Sequence, residues 1–270
     1  AAWLFPYHTL GFTKVVSYDL NIDFDKLEEK FGGNLENLYP EITPNWIDGD
    51  ISLMSAIIQY TPRPFYIQQM GTEITSRLFG ENNKYLAMHW RYDKDDWGAH
   101  CFRSDPGNRG EHASQNQGDL CDVVLGAIAN PLPMANKTAD WIKKLLLKPE
   151  FEDVKGLYIA APLNSQELMD AIKNSVEQSI SNFKVRTGSD SMPIFQSLYP
   201  ECSYFKNNLH DAFSLIDMEI CSKSVIFSRS RGSSWSSNIA QERHVRGNDG
   251  NDIENMFLLG YQGDESIDED

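Results

Sequence analysis

No stretch of this 270-residue chain approaches the roughly 18 consecutive apolar residues of a spanning helix, so no membrane span is expected. Positive charge is also scarce. Lys and Arg number 24 against 39 Asp and Glu, a net charge of −15. Phosphate-backbone binding wants a basic footprint, so nucleic acid is excluded as a principal partner. Cysteine appears four times (Cys101, Cys121, Cys202, Cys221), too sparsely for a disulfide scaffold and never as C-x-x-C, which removes thioredoxin-like and common zinc readings. Neither a Walker loop nor G-x-S-x-G occurs. The chain opens at Ala1 without the basic flank and apolar run of a signal peptide, and it reads as a processed or partial chain.

What is present suffices for a core. Hydrophobic residues make up 41% and aromatics 11%, and the length suits one large domain or two modest ones. Five acids (Asp264, Glu265, Asp268, Glu269, Asp270) crowd the end as a solvated tail, and the rest of the chain is acidic without them. Asn136-Lys137-Thr138 is a glycosylation sequon, usable only in a secretory compartment.

From about residue 80 onward strand-like and helix-like patterns alternate. Tyr85–Met88 is a short apolar run leading into His89-Trp90-Arg91 and suits a buried strand. The polar stretch from Gly98 to Gly118 reads as a loop, and Leu120–Ala129 and Thr138–Leu147 as helices. Leu157–Ala161 is a second strand. Asn164 opens a helix with Glu167 three residues on, a capping-box pattern, and Leu168, Ala171, Ile172 and Val176 form its apolar stripe. Phe183–Val185 is a third strand. Leu209, Phe213, Ile216 and Ile220 mark an amphipathic helix, Ser224–Phe227 a last strand, and Ser236–Arg246 a last helix closed by Gly247. Strands separated by helices imply a doubly wound α/β domain with a parallel sheet. The first eighty residues are less regular, with helices expected at Phe24–Phe31, Ser52–Tyr60 and Gly71–Phe79. The expected organisation is a partial N-terminal α/β segment over 1–80, a Rossmann-like domain over 81–262 and an acidic tail over 263–270.

Ligands of open parallel sheets bind beyond the strands' carboxyl ends. His89 and Arg91 stand at such an end, and the planar Arg fork suits a diphosphate. The plainer reading pairs Arg91 with Asp93, Asp95 or Asp96. Gly232-Ser233-Ser234-Trp235-Ser236-Ser237 joins a strand to a helix, where backbone N–H groups and hydroxyls suit an anion; ordinary N-capping is the simpler explanation. Trp235 can stack on a base or pack beneath the loop. Asp217, beside an apolar stripe, is either a surface acid or an acceptor for a base edge or ribose hydroxyl. Asp93-Lys94-Asp95 and Asp48-Gly49-Asp50 resemble Asp-x-Asp metal motifs but arise readily by chance in so acidic a chain, and His89, His100 and Cys101 lack a zinc spacing. No metal is expected.

Together these pieces resemble the GDP-fucose protein O-fucosyltransferases. His89-Trp90-Arg91, Asp96-Trp97 and Cys101 are similar to that family's His-x-Arg region. Asp217, Phe227, Ser233-Ser234-Trp235-Ser236, Glu242-Arg243 and Gly247 follow the order and spacing of its C-terminal nucleotide motif. The resemblance implies a GT-B arrangement of facing Rossmann-like domains, with GDP-fucose bound mainly by the C-terminal one. It implies inverting, metal-independent transfer of fucose to a Ser or Thr of a protein acceptor, with no cofactor beyond the donor. Arg91 would be catalytic. His89 would contact nucleotide or sugar, Asp217 the guanine-ribose half, and Ser234, Trp235 and Ser236 the phosphates or sugar. Glu242 and Arg243 would be structural. The endoplasmic reticulum or Golgi lumen is the implied location, Asn136 a glycosylation site there, and Cys101–Cys121 the expected disulfide.

The match has departures. Trp90 replaces the usual Leu, Trp235 the usual Phe, and Ala160-Ala161-Pro162 stands where Ala-Thr-Asp or Ala-Thr-Gly is common. The family's Gly-rich, Asn-containing N-terminal loop is absent. These support a second reading, a non-catalytic module binding nucleotide sugar or glycoprotein; use of another nucleotide sugar is a third.

Overall fold

A computed structural model describes residues 62–93, 95, 101, 115–198, 205, 207–231 and 233–254. All lie in the second of the two units into which the chain divides, residues 52–270. The helices expected at Phe24–Phe31 and Ser52–Tyr60, the Asp48-Gly49-Asp50 triplet, His100, Cys202 and the acidic tail fall outside the described residues.

Five strands form one parallel sheet: β1 (Lys84–His89), β2 (Val154–Ala160), β3 (Lys184–Thr187), β4 (Ile226–Arg229) and β5 (Ile253–Glu254), in the order β3-β2-β1-β4-β5. Seven described helices accompany them: α1 (Phe65–Phe79), α2 (Gln115–Ala129), α3 (Leu132–Leu146), α4 (Gln166–Ser179), α5 (Gly188–Leu198), α6 (Leu209–Lys223) and α7 (Ser234–Val245). The α/β class with a parallel sheet is therefore as expected. The chain builds outward from β1 through β2 to β3, then returns to lay β4 on β1's other side. That reversal makes the ends of β1 and β4 the switch point of the sheet, the place where open parallel sheets bind ligands.

Side chains of β1 alternate between two cores, which is why the strand reads as a continuous apolar run. Leu86 and Met88 face α2, α3 and α4, whereas Tyr85 and Ala87 face α1, α5, α6 and α7. By the same alternation His89 falls on the second face and Trp90 on the first, where Trp90 is buried and meets Tyr92 edge-on. A bulky Trp is accommodated here as core.

Several boundaries differ from expectation. Helix α1 starts six residues before Gly71. Gly71 lies inside it because a Cβ there would sit 2.6 Å from Glu219 Cγ on α6; the glycine marks close helix packing, not a helix start. The same helix lies on the N-terminal side of the expected boundary at residue 80 and shares a core with α5 and α6. Helix α2 begins at Gln115, inside the expected loop, and α3 at Leu132, with Pro131 before it and Pro133 in its first turn, where proline is tolerated. Helix α5 was unexpected, its Gly-Ser-Asp-Ser start and internal Pro193 concealing it. The capping box of α4 does not form. One 3-10 turn, Leu163–Ser165, precedes the helix, and the Asn164 amide instead donates to Asp95 Oδ2 at 2.8 Å. Helix α7 ends as its composition suggests: Gly247 adopts φ 69° and Asn248 N–H reaches back to Arg243 O at 2.9 Å. Cys101 and Cys121 form a disulfide, and Cys221 is a buried free thiol.

Arg243 anchors α7. Its fully buried guanidinium donates to Asp252 through Nε (2.7 Å) and Nη2 (2.8 Å), to Ser222 O (2.9 Å) and Ser224 O (2.6 Å), and to Asn248 O (2.5 Å). Asp252 in turn accepts Phe227 N–H at 2.8 Å. One side chain thus fixes the end of α6, the entrance to β4 and the approach to β5. Replacing it strands a buried carboxylate and several carbonyls. Arg243→Met is expected to cost about 3–5 kcal/mol, measured as a lowered urea midpoint; a change within experimental error would contradict this anchoring.

Candidate functional site

The switch point beyond β1 and β4 is organised by serines. His89, at the end of β1, is buried and opposite Ala160 of β2. Its Nδ1 pairs with Ser236 Oγ at 2.6 Å, a bond in which either partner can donate. Ser236 Oγ also accepts the backbone N–H of Ser230 at 3.1 Å. The Ser230 hydroxyl donates to His89 O at 2.6 Å and accepts Arg91 N–H at 3.0 Å. Ser230 therefore continues the link between β1 and β4 where the ladder has ended. Ser233 caps α7, its hydroxyl accepting Ser236 N–H at 3.3 Å.

The site residues read from the sequence separate into lining and support. Ser234 is exposed in the first turn of α7, where N–H groups and the helix dipole favour an anion. Ser236 is fully buried and its hydroxyl is occupied by Ser230 and His89, so it supports the site from below. Trp235 is half-buried, lies tilted against His89 at a centroid distance of 4.2 Å and donates its indole N–H to Ser214 on α6 at 3.0 Å. A Phe at this position could not make the last bond.

Arg91 projects past the end of β1, its side chain 37% exposed, with Nη1 3.4 Å from Asp93 Oδ2. The plain charged-loop pairing is thus present, beside a guanidinium that still reaches solvent. Its loop is held by Trp90 Nε1–H donating to Tyr92 O (2.7 Å) and Tyr92 O–H donating to Arg231 O (2.8 Å). Asp93 is itself held, accepting Asp95 N–H at 3.0 Å.

Asp217 is half-buried on α6, one turn after Ser214. The Tyr158 hydroxyl of β2 donates to Asp217 Oδ1 and lies 2.9 Å from Ser191 Oγ. Burial pushes the Asp217 carboxyl up to about 7, against the Tyr158 hydrogen bond that favours the anion. The Arg91–Asp93 pairing and the capping of α7 within the 232–237 segment are as the sequence reading weighed them, whereas Ser230, Ser214 and Tyr158 are site residues that it does not single out. Nothing local in the sequence identifies those three. Among the described residues no three His, Cys, Asp or Glu side chains gather as a metal site, and no helix is long and apolar enough to cross a membrane.

Comparison with known proteins bears on the family and the fold. A family model described as GDP-fucose protein O-fucosyltransferase matches residues 54–246. No curated protein sequence matches. The fold is similar to that of POFUT1 in two crystal structures. In the complex with GDP (high-resolution dataset) the identity is 16% and the TM-score 0.51, covering 92% of this chain and 66% of that one. In the complex with GDP-fucose (crystal form II) the identity is 15% and the TM-score 0.53, covering 92% and 67%. Across four POFUT1 structures the chain spans 59 to 67% of their length.

The His89 environment generates a test. Burial foremost, then the Arg91 charge, holds its imidazole down to about 3, far below the ordinary 6.5, so the ring is neutral at pH 7. The unfolded chain protonates this ring first as pH falls. This residue's contribution to stability is therefore intact above about pH 6.5 and declines toward pH 3. In NMR spectra the His89 ring protons are expected to stay unchanged between about pH 5 and 8; a midpoint near the ordinary value would contradict the buried Ser236-paired ring.

Proposed function

The chain belongs to the GDP-fucose protein O-fucosyltransferase family, and on that premise we propose that it binds GDP-fucose at the β1–β4 switch point and transfers fucose to a Ser or Thr hydroxyl of a protein acceptor. The observation that carries this reading is the convergence of Arg91 and the first turn of α7 on the switch point of a parallel sheet. In the reaction the acceptor oxygen attacks the anomeric carbon from the face opposite the diphosphate. The bond from that carbon to the diphosphate oxygen breaks, its electron pair leaves with GDP, and the acceptor proton passes to the departing diphosphate or to water. Negative charge gathers on the diphosphate oxygens. Arg91 meets that charge with a planar two-pronged donor, and the α7 N–H groups with Ser234 add fixed dipoles, without a metal. Release of Arg91 from Asp93 is part of this account, since the two are only 3.4 Å apart.

Asp217 accepts hydrogen bonds from the nucleotide base, and its Oδ2, which takes no hydrogen bond among the described residues, is the oxygen for that role. A guanine edge presents adjacent N–H donors to a carboxylate, which favours GDP over UDP and ADP. His89 and Trp235 form a wall against the nucleotide or sugar, and Ser236 keeps that wall in place. Acceptor binding falls to the N-terminal segment. A lumenal location, endoplasmic reticulum or Golgi, agrees with the Cys101–Cys121 disulfide. Asn136 is exposed on α3, while the Thr138 hydroxyl of its sequon is buried and donates to Met134 O at 3.0 Å. Glycan addition at Asn136 therefore belongs to the nascent chain, before α3 packs.

A non-catalytic binding module is the second reading, favoured by Ala160 and Ala161, which place no polar side chain at the end of β2. Calorimetry with GDP, GDP-fucose, UDP and ADP tests the site. GDP is expected to bind in preference to UDP and ADP, and Arg91→Ala to weaken it roughly 10- to 100-fold, as for loss of hydrogen bonds to a charged group. Absent GDP binding, or binding indifferent to the substitution, rejects the assignment. Fucose transfer to a folded acceptor domain separates the enzyme from the binding module.

A further inference from the structure

We infer that Tyr158 is a positioning residue for donor recognition: held by Ser191, its phenol fixes one oxygen of Asp217 so that the other is presented to the nucleotide base. The inference rests on the reading of Asp217 as the base acceptor.

The geometry spans three elements. Tyr158 lies on β2 opposite Ala87, with its side chain fully buried in the core formed by α1, α5 and α6. A phenolic hydroxyl at such a depth needs a partner, and this one has two. Ser191 on α5 is also fully buried. Its hydroxyl lies 2.9 Å from the phenol oxygen, nearer than the carbonyls of Thr187 (3.3 Å) and Gly188 (3.2 Å). An ionised carboxylate only accepts, so the Tyr158 proton points at Asp217 and the Ser191 proton fills the vacated side of the phenol. The chain Ser191 to Tyr158 to Asp217 thereby locks an α6 side chain to the sheet.

That lock has an electrostatic effect. Burial favours the neutral carboxylic acid, and the Tyr158 hydrogen bond is the counterweight that keeps the anion accessible near neutral pH. The facing titratable group from β2 is Tyr158; on α6 itself Cys221 lies one turn further on, its thiol pushed well up by burial and then by Asp217. From α5 only the neutral Ser191 hydroxyl contributes. GDP binding should strengthen as pH rises through about 7, where Asp217 ionises.

The test follows the Asp217 carboxyl carbon by NMR across pH in ligand-free wild type, Tyr158→Phe and Ser191→Ala. Tyr158→Phe is expected to raise the Asp217 midpoint by about one pH unit, the size of one lost hydrogen bond to a charged group. Its GDP affinity at pH 7 should fall several-fold and recover above about pH 8. Ser191→Ala, which keeps the ring in place, should raise the midpoint by less, and it decides the matter if Tyr158→Phe does not fold. An unchanged or lowered midpoint in a folded variant overturns the inference while leaving Asp217 as acceptor. Asp217→Asn with undiminished preference for GDP over UDP instead overturns the reading beneath it.

Discussion

Beyond Ser228 the ladder between β1 and β4 has ended, and hydrogen bonds among Ser230, Ser236 and His89 hold the two chain segments together. The placement of the site depends on this knot. Each of its members is buried, so each would be costly to leave unpaired. Because Ser236 belongs to α7, the knot also fixes where the first turn of that helix points. Because Arg91 N–H bonds to Ser230, it fixes where the Arg91 side chain departs from β1.

A second layer keeps the knot in register. Arg243 ties the far end of α7 to the entrances of β4 and β5. Arg63 bridges Glu219 of α6 (2.6 Å) and Glu242 of α7 (2.6 Å), with Arg246 completing Glu242 at 2.6 Å. Buried ion pairs of this kind contribute modestly to net stability, yet removing one partner is strongly unfavourable. They serve here to specify the orientation of α7, and so the direction of its N–H groups. The two tryptophans that depart from the family pattern fit this scheme: Trp90 fills core beneath the Arg91 loop, and Trp235 links His89 to α6.

Much of the frame was legible in the sequence where periodicity and caps agree. Strand β1, helix α6 and the Gly247 terminus of α7 reflect local apolar spacing and a glycine at positive φ. Helix α5 was concealed because Gly188 and Pro193 are ordinarily breakers, and α1 was shortened because Gly71 serves packing. In the site, His89, Arg91 and the 232–237 segment could be located from strand ends alone. The division into lining and support could not. Whether Ser234 or Ser236 is buried depends on the phase of α7 against β1, and the Tyr158–Asp217 bond joins residues 59 apart. Sequence separation of that order leaves no periodic trace.

Hydrogen–deuterium exchange with and without GDP tests the central claim most directly, because it locates a ligand without presuming any side chain's role. The account predicts slowed exchange in the segments around Arg91 and around 230–238 at the switch point, with a weaker response to UDP. Protection confined to other elements, or none at saturating GDP, would contradict it.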